Sequence, residues 1–331
     1  MNSFLKISKT KVCLVDNLFL FKSENCAFKK IQECFEASNI EIVEAEIADI
    51  IIVPIFNSNY GLFDNYIRKS QLYKKFKNKI FCYSPEDLKY PSLPGIYPSA
   101  SPFWAKLGWV KGAHYLSSHI VEHSFSLTEI NRDLLFSFVG SIKTSPVRRK
   151  ILTLAKYPKG LIVDSDPDLG GKYWWELGEE YAANAFDTFK NVMERTKFAL
   201  CPRGISTSSI RLFEALKAGC VPVIISDSLV LPEGPNWKDF AIFVPEKDIK
   251  KIPEILNKNE AAFAEMSRNA RDAWDNYFSD SSTPFTIVRW CLDIQRNLTP
   301  VKRILIEFLV LMGSFVLASN AKKRLKKILG R

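Results

Sequence analysis

Polar side chains that could bind a phosphate group lie beside a short apolar run near residue 200. Arg203 and Gly204 follow this run, residues 198–201, and two serines, Ser208 and Ser209, precede an apolar pattern of helical period. The free amide groups at a helix N-terminus attract anions, and a guanidinium group can bind two phosphate oxygens at once. The four polar residues therefore predict an anion-binding site.

Two charged residues lie on the predicted helix itself. Arg211 and Glu214 are three positions apart, so they share one helix face. A carboxylate there could accept hydrogen bonds from the two hydroxyl groups of a ribose, and Arg211 could orient it or bind phosphate. The alternative is that the two residues form only a surface ion pair, a common and weak contact.

The surrounding elements predict how these residues are held together. Residues 198–201 and 221–225 are apolar runs typical of buried strands, and the helix between them ends at Gly219. A strand, a helix and a second strand in this order favour a parallel sheet. Since ligands bind such sheets beyond the carboxyl ends of the strands, Arg203 and the serines are expected to face one crevice.

A further cation is predicted at the same edge. Residues 134–139 are predicted to form another strand, and Ser145 and Pro146 predict a helix start with proline in its first turn. Arg148 comes early in that helix, so we expect it to bind the same anionic ligand. The neighbouring Arg149 is expected to point to solvent.

This part of the chain resembles the exostosin-like glycosyltransferases. Their signature matches residues 201–204, Ser209, Arg211, residues 214–215 and residues 218–224. The resemblance extends over residues 130–298, whereas the first 130 residues resemble the family only in outline. It implies a GT-B fold, a nucleotide-sugar donor, inversion at the anomeric carbon, and no obligatory metal or other cofactor.

The expected architecture is therefore an α/β chain of the GT-B class, with two doubly wound Rossmann-like domains facing across a cleft. We expect an acceptor-side domain over residues 1–130 and a nucleotide-sugar-binding domain over residues 131–300. An apolar and then basic tail would cover residues 301–331. The fully apolar run at residues 50–53 supports a sheet covered on both faces in the first domain.

An inverting transferase needs a base that takes the proton of the acceptor hydroxyl, and histidine or a carboxylate suits that role near neutral pH. The candidates are Asp16, which follows the first predicted strand, and His114. Both are chosen on position and residue type alone.

Composition narrows the list of partners. The chain has 331 residues, a formal charge of +10 and a pI near 9.1, which favours anionic partners. No nucleic-acid-binding motif is present, so nucleic acid is not expected among them. The seven cysteines are odd in number and contain no Cys-x-x-Cys pair, as in a reducing compartment without a zinc site.

The two ends of the sequence bear on location. No signal peptide is recognised at the start, which predicts a cytoplasmic protein, in our interpretation from a bacterium. Residues 304–318 are nearly all apolar and are followed by six Lys and Arg residues. This run is short for a transmembrane span, which needs about 20 residues. It predicts a helix lying on an anionic membrane, at the inner face of the cytoplasmic membrane; the alternative is a terminal helix docked on the fold.

The sequence thus predicts an inverting glycosyltransferase that moves a sugar from a UDP-sugar to a hydroxyl group of a surface glycan or lipid-linked oligosaccharide. Two alternatives stay open. One is a fucosyltransferase-like enzyme that uses a GDP-sugar, and the other is a non-catalytic glycan-binding protein with the same fold.

Overall fold

The computed structural model describes residues 9–15, 26–54, 67–84, 87, 91–116, 125, 132–165 and 179–313. These residues form two compact units, each built on a parallel sheet of five strands. Unit 1 takes its described residues from the first 117 positions, from Val230–Glu233 and from Thr283 onward, and unit 2 takes the remainder. This confirms the predicted pair of Rossmann-like α/β domains. Proteins of the GT-B class contain two such domains.

Unit 1 begins with alternating strands and helices. They are β1 (Val12–Leu14), α1 (Cys26–Glu36), β2 (Ile50–Pro54), α2 (Gln71–Phe76), β3 (Ile80–Tyr83), β4 (Gly95–Tyr97), α3 (Pro102–Lys106) and β5 (Val110–Gly112). The strands lie in the order β1-β2-β3-β4-β5, and Val12 also forms a parallel bridge with Ile42 on the far side of β1. The chain therefore winds in both directions from β1, as a doubly wound sheet does.

The short strands β4 and β5 are not evident from the sequence, because five prolines between residues 85 and 102 suggest an irregular segment. Glycines allow both strands to form. A Cβ atom at Gly95 would overlap the backbone of Cys82 in β3, and one at Gly112 would overlap the carbonyl group of Val230. Close backbone approach, which only glycine permits here, thus completes this edge of the sheet.

Unit 2 contains the predicted strand–helix–strand segment. Its elements are β6 (Leu134–Gly140), α4 (Pro146–Lys150), β7 (Gly160–Asp164), α5 (Glu179–Glu194), β8 (Thr196–Pro202), α6 (Ile210–Lys217), β9 (Val221–Ile225), β10 (Ile242–Phe243), α7 (Ile252–Asn259) and α8 (Phe263–Ala273). As predicted, α6 is followed by Gly219, whose φ of 65° is disfavoured for other residues.

The strands of unit 2 lie in the order β10-β9-β8-β6-β7, all parallel. The connection from β6 to β7 runs to one side, and the connection to β8 runs to the other. The sheet therefore has a topological switch point between β6 and β8, the place where ligands bind in open α/β sheets.

The chain then returns to unit 1 with α9 (Thr283–Asn297) and a helix over residues 300–313, here α10. The division of the chain therefore differs from the predicted boundaries at residues 130 and 300. Contacts from α9 explain the difference: fully buried Trp290 donates from Nε1 to the carbonyl of Glu233 at 3.0 Å, and Gln295 donates to the carbonyl of Asn78 at 3.3 Å. In the described part of the chain, every helix is too short or too polar to span a bilayer.

Gly95→Ala tests the close approach between β3 and β4. We expect it to lower the free energy of unfolding by about 3 kcal/mol, because the added methyl group meets backbone that cannot yield. The melting temperature by circular dichroism measures the effect. A variant that melts with the wild type would show that these strands do not pack as described.

Candidate functional site

The predicted anion-binding residues all lie in unit 2, at the carboxyl edge of its sheet. Residues from the loop after β8, from α6 and from α4 take part, and these segments follow the two strands that flank the topological switch point. The predicted residues are Arg148, Arg203, Gly204, Ser208, Ser209, Arg211 and Glu214. The fold thus brings together positions that are up to 66 residues apart in the sequence.

The loop after β8 is a tight, hydrogen-bonded turn. The amide of Gly204 donates to the carbonyl of Ser208 at 3.0 Å, and the amide of Arg203 donates to the carbonyl of Ile225 at the end of β9 at 3.1 Å. A Cβ atom at Gly204 would lie 3.4 Å from Nη2 of Arg148. The guanidinium group of Arg148 therefore lies directly against this loop.

Buried hydroxyl groups without partners mark the start of α6. Ser208 and Ser209 are only 2% and 4% exposed, yet their Oγ atoms have no hydrogen-bond partner among the described residues. The Oγ1 atom of Thr207 is also buried and has no hydrogen-bond partner among these residues. Ser209 occupies the N-cap position but makes no capping hydrogen bond. Buried polar groups are nearly always hydrogen-bonded, so three such groups side by side indicate the place of a polar ligand.

Arg148 is held over the edge of the sheet by backbone oxygens. Its Nη1 atom donates to the carbonyl of Ser141 at 3.2 Å and its Nε atom to that of Pro202 at 3.4 Å. Its helix, α4, is capped by Ser145, whose Oγ accepts from the amide of Arg148 and donates to the carbonyl of Arg203. Arg149, the next residue, is exposed as predicted.

Arg203 forms a two-point ion pair that the sequence analysis did not foresee. Its Nε and Nη2 atoms donate to the two carboxylate oxygens of Glu246 at 2.6 and 3.3 Å. Glu246 is itself fixed by Asp227, because each backbone amide donates to the other residue's carboxylate. Glu246 lies within the range of the family resemblance, residues 130–298, but the sequence assigns it no role. Its position just after β10, at the ligand-binding edge of the sheet, was the available signal.

Arg211 and Glu214 form the predicted ion pair on α6, and their side chains are only 14% and 13% exposed. Arg211 also donates from Nη2 to the carbonyl of Val139 at 2.5 Å, and its guanidinium carbon lies 4.0 Å from the ring centre of Phe189. The pair is therefore partly buried and anchored to β6, unlike the surface pair considered as the alternative. Arg211 is placed to orient Glu214, and the contact of Glu214 with a ribose stays a prediction.

The guanidinium groups of Arg148, Arg203 and Arg211 bring positive charge to this edge, and Glu246 and Glu214 pair with the last two of them. Backbone amides at the start of α6 add partial positive charge. Within the described residues, no group of three or more His, Cys, Asp or Glu side chains is arranged to hold a metal ion. The arrangement can bind an anion with hydroxyl-rich neighbours, such as a nucleoside diphosphate.

The two base candidates belong to the first part of the chain. Asp16 lies outside the described residues. His114 is 1% exposed in unit 1, and its Nε2 atom lies 3.1 Å from Oγ1 of Thr283. Burial lowers the pKa of His114 to about 3, since desolvation disfavours the charged imidazolium. These features favour a structural role in joining β5 to α9, and its assignment as the base remains an untested prediction.

Comparison with known proteins supports the family expected from the sequence. Residues 109–259 match the family model described as the Exostosin GT47 domain. A segment of 92 residues is 39% identical to the exostosin-1 homolog of Caenorhabditis elegans and covers 27% of this chain and 24% of that protein. A segment of 115 residues is 36% identical to the probable beta-1,4-xylosyltransferase IRX10 of Arabidopsis thaliana, covering 30% of this chain and 28% of that protein.

Another segment of 115 residues is 38% identical to a probable glucuronosyltransferase, Os04g0398600, of Oryza sativa subsp. japonica, covering 30% of this chain and 27% of the relative. The chain thus spans about a quarter of the length of these relatives. Among solved structures, an alpha1,3-fucosyltransferase is similar with a TM-score of 0.44 and 14% identity, over 88% of this chain and 91% of that one. Anabaena Alr3699/HepE in complex with UDP has a TM-score of 0.43 and 12% identity, over 88% and 100%.

Ser209→Ala and Ser145→Ala test the unpartnered hydroxyl groups in the protein without ligand. We expect Ser209→Ala to leave the free energy of unfolding unchanged or slightly raised, because the lost hydroxyl is buried and makes no hydrogen bond. Ser145→Ala is the matched control and should cost about 1 kcal/mol, since it removes a helix cap. Denaturant unfolding measures both, and a larger loss in Ser209→Ala would show that its hydroxyl is already bonded.

His114→Gln tests the buried histidine through pH. The folded pKa of about 3 lies below the ordinary value of about 6.5 in the unfolded chain, so the unfolded state takes up the proton first as pH falls. The free energy of unfolding of the wild type, relative to that of the variant, should therefore be highest above pH 6.5 and should decrease by about 2 kcal/mol between there and pH 5.

Denaturant unfolding of both proteins at several pH values measures the difference between their free energies of unfolding. Titratable groups that both proteins share contribute equally to each and do not affect this difference. A pH-independent difference would contradict the depressed pKa. If His114 were the base, the variant would instead lose activity and the limb of the pH–rate profile near neutrality.

Proposed function

We propose that this chain, which matches the Exostosin GT47 domain over residues 109–259, is an inverting glycosyltransferase. It would move one sugar from a UDP-sugar to a hydroxyl group of a surface glycan or lipid-linked oligosaccharide. The observation that carries this proposal is the group of buried hydroxyls at the start of α6 that have no partner in the described part of the chain, flanked by Arg148 and Arg203 at the switch point of the unit 2 sheet.

The proposed reaction needs positive charge at the carboxyl edge of the unit 2 sheet, where the diphosphate would bind. The acceptor oxygen attacks the anomeric carbon while the bond from that carbon to the diphosphate oxygen breaks, so negative charge grows on the leaving diphosphate. Groups fixed in advance around that charge lower the barrier. Arg203, held by Glu246 through Nε and Nη2, and Arg148, held by backbone carbonyls, are fixed in this way. Ser208 and Ser209 can donate hydrogen bonds to the phosphate oxygens.

Recognition of the nucleoside would fall to Glu214. Its carboxylate is held on α6 by Arg211, which is in turn bonded to the carbonyl of Val139. A carboxylate kept in place without rearrangement can accept from the two ribose hydroxyls at little entropic cost. Arg211 bonds to Glu214 and to the carbonyl of Val139 and lies over the ring of Phe189, so we assign it to positioning Glu214; its Nε atom has no partner among the described residues.

The names of the relatives support glycosyl transfer as the reaction class, since they include probable glucuronosyltransferases and xylosyltransferases. UDP as the nucleotide, the acceptor and inversion are our proposals. The basic net charge of +10 favours an acidic or lipid-linked acceptor. For the base we retain Asp16 ahead of His114, whose burial separates it from solvent. We propose that the enzyme works in the cytoplasm.

Arg203→Ala and Glu214→Ala should each abolish sugar transfer and weaken UDP binding at least about tenfold, because each removes a charged hydrogen-bonding group from the ligand. Arg149→Ala is the matched control: it removes an exposed arginine beside Arg148 and should bind UDP like the wild type. Isothermal titration with UDP measures the affinities, and circular dichroism confirms folding. Wild-type affinity in both site variants would refute the proposed site.

A thermal-shift screen with UDP, GDP and CMP tests the choice of nucleotide, since a ligand of the folded state raises the melting temperature. We expect a shift with UDP that is smaller in Ser209→Ala. A shift with GDP alone would favour the fucosyltransferase-like alternative. No shift with any nucleotide would overturn the proposal in favour of a non-catalytic glycan-binding protein.

A further inference from the structure

The helix α10, residues 300–313, is apolar on two opposite faces. One face packs into unit 1 through Ile306 and Val310, which are almost fully buried. The opposite side, here called the outer face of α10, carries large apolar side chains that are more than half exposed. They include Val301, Ile304, Leu305, Phe308 and Met312. Their spacing of three and four positions places them on one stripe.

Two residues of α10 that pair with each other, Arg303 and Glu307, also bond to the rest of unit 1, so the outer face has a defined direction. Arg303 is 5% exposed and donates from Nε to Oε1 of Glu307 at 3.0 Å. It also donates to the carbonyl of Lys77, and its guanidinium carbon lies 5.9 Å from the ring centre of Trp109. Glu307 accepts a second hydrogen bond, from the hydroxyl of Tyr73 at 3.1 Å.

This arrangement is unusual for a surface helix. Such a helix normally turns charged or polar residues outward, and a helix that is apolar all round is normally buried. Contiguous apolar patches on a soluble protein mark a surface that another molecule or a membrane covers. We therefore expect another molecule or a membrane to cover the outer face of α10, because the exposure of its apolar side chains to water is unfavourable.

We propose that the outer face of α10 docks on the surface of an anionic lipid membrane. After Glu307 the sequence contains no acidic residue, and six Lys and Arg residues occur between positions 322 and 331. Apolar side chains that enter the boundary of the acyl chains, followed by cations that meet anionic headgroups, are the two components of interfacial binding. The helix lies along the surface and does not span the bilayer.

Charge also argues against a second copy of this chain as the occupant. Each copy has a formal net charge of +10, and like charges oppose association. Anionic lipid complements the same charges. This inference goes beyond the proposed sugar transfer and does not depend on it.

Vesicle flotation of the full chain tests the proposal. The probes are vesicles of phosphatidylcholine alone and of phosphatidylcholine with phosphatidylglycerol. We expect the wild type to float with the anionic vesicles, and to do so less with neutral ones or at high salt. Leu305→Gln/Phe308→Gln should reduce the bound fraction at least about tenfold, because two exposed apolar side chains no longer enter the lipid.

The matched control is Ile47→Gln/Leu152→Gln, which removes two exposed apolar side chains elsewhere and should float like the wild type. Since all four residues are exposed, the melting temperatures should stay close to that of the wild type. Wild-type protein that does not bind anionic vesicles, or a Leu305/Phe308 variant that binds equally, would overturn the proposal. A wild-type dimer that this variant converts to a monomer in sedimentation would assign the face to a second copy.

None of these readouts uses a nucleotide or an acceptor. A failure of membrane docking is therefore distinguishable from a failure of the proposed glycosyl transfer, which the UDP titrations test separately.

Discussion

The candidate site depends on the way β6 pairs with a strand on each side. Because β7 pairs with one side of β6 and β8 with the other, the connection after β6 runs toward β7 and the connection after β8 runs the opposite way, toward β9. This divergence opens the carboxyl edge of the sheet at one place. The loop after β8 and the helix after β6 meet there, and so Arg203 and Arg148 come within reach of one ligand. The position of each charged group in the site follows from this strand order.

A second level of order fixes the side chains. The arginines of the site each have partners within the protein: Arg203 has Glu246, Arg148 has backbone carbonyls, and Arg211 has Glu214. Preorganised charges of this kind need no rearrangement when a ligand's charge develops. The serine hydroxyls at the start of α6 are the exception, since they are buried and make no bond within the described residues. Rigid cations beside unsatisfied donors fit the proposed binding of a diphosphate.

Much of unit 2 was predictable because its signals are local. The apolar runs of β8 and β9, the serines before α6 and Gly219 after it are read directly from neighbouring residues. Glu246 was harder, because it lies 43 positions from Arg203 and only the order of the strands brings them together. The burial of His114 could not be read from the sequence either, since its partner Thr283 is 169 positions away. Contacts set by topology, rather than by spacing, account for these differences.

Unit 1 is assembled from separated stretches of chain, and this has a consequence for how the protein folds. Trp290 in α9 is completely buried in unit 1, but it is synthesised after the whole of unit 2. During synthesis, the apolar face of the unit 1 sheet that α9 covers therefore stays exposed until α9 has been made. Contacts of such long sequence separation slow folding and lengthen the lifetime of aggregation-prone intermediates. Unit 2 is nearly continuous in sequence, so we expect it to fold first. Unit 1 would then fold once the residues from Thr283 onward have been made.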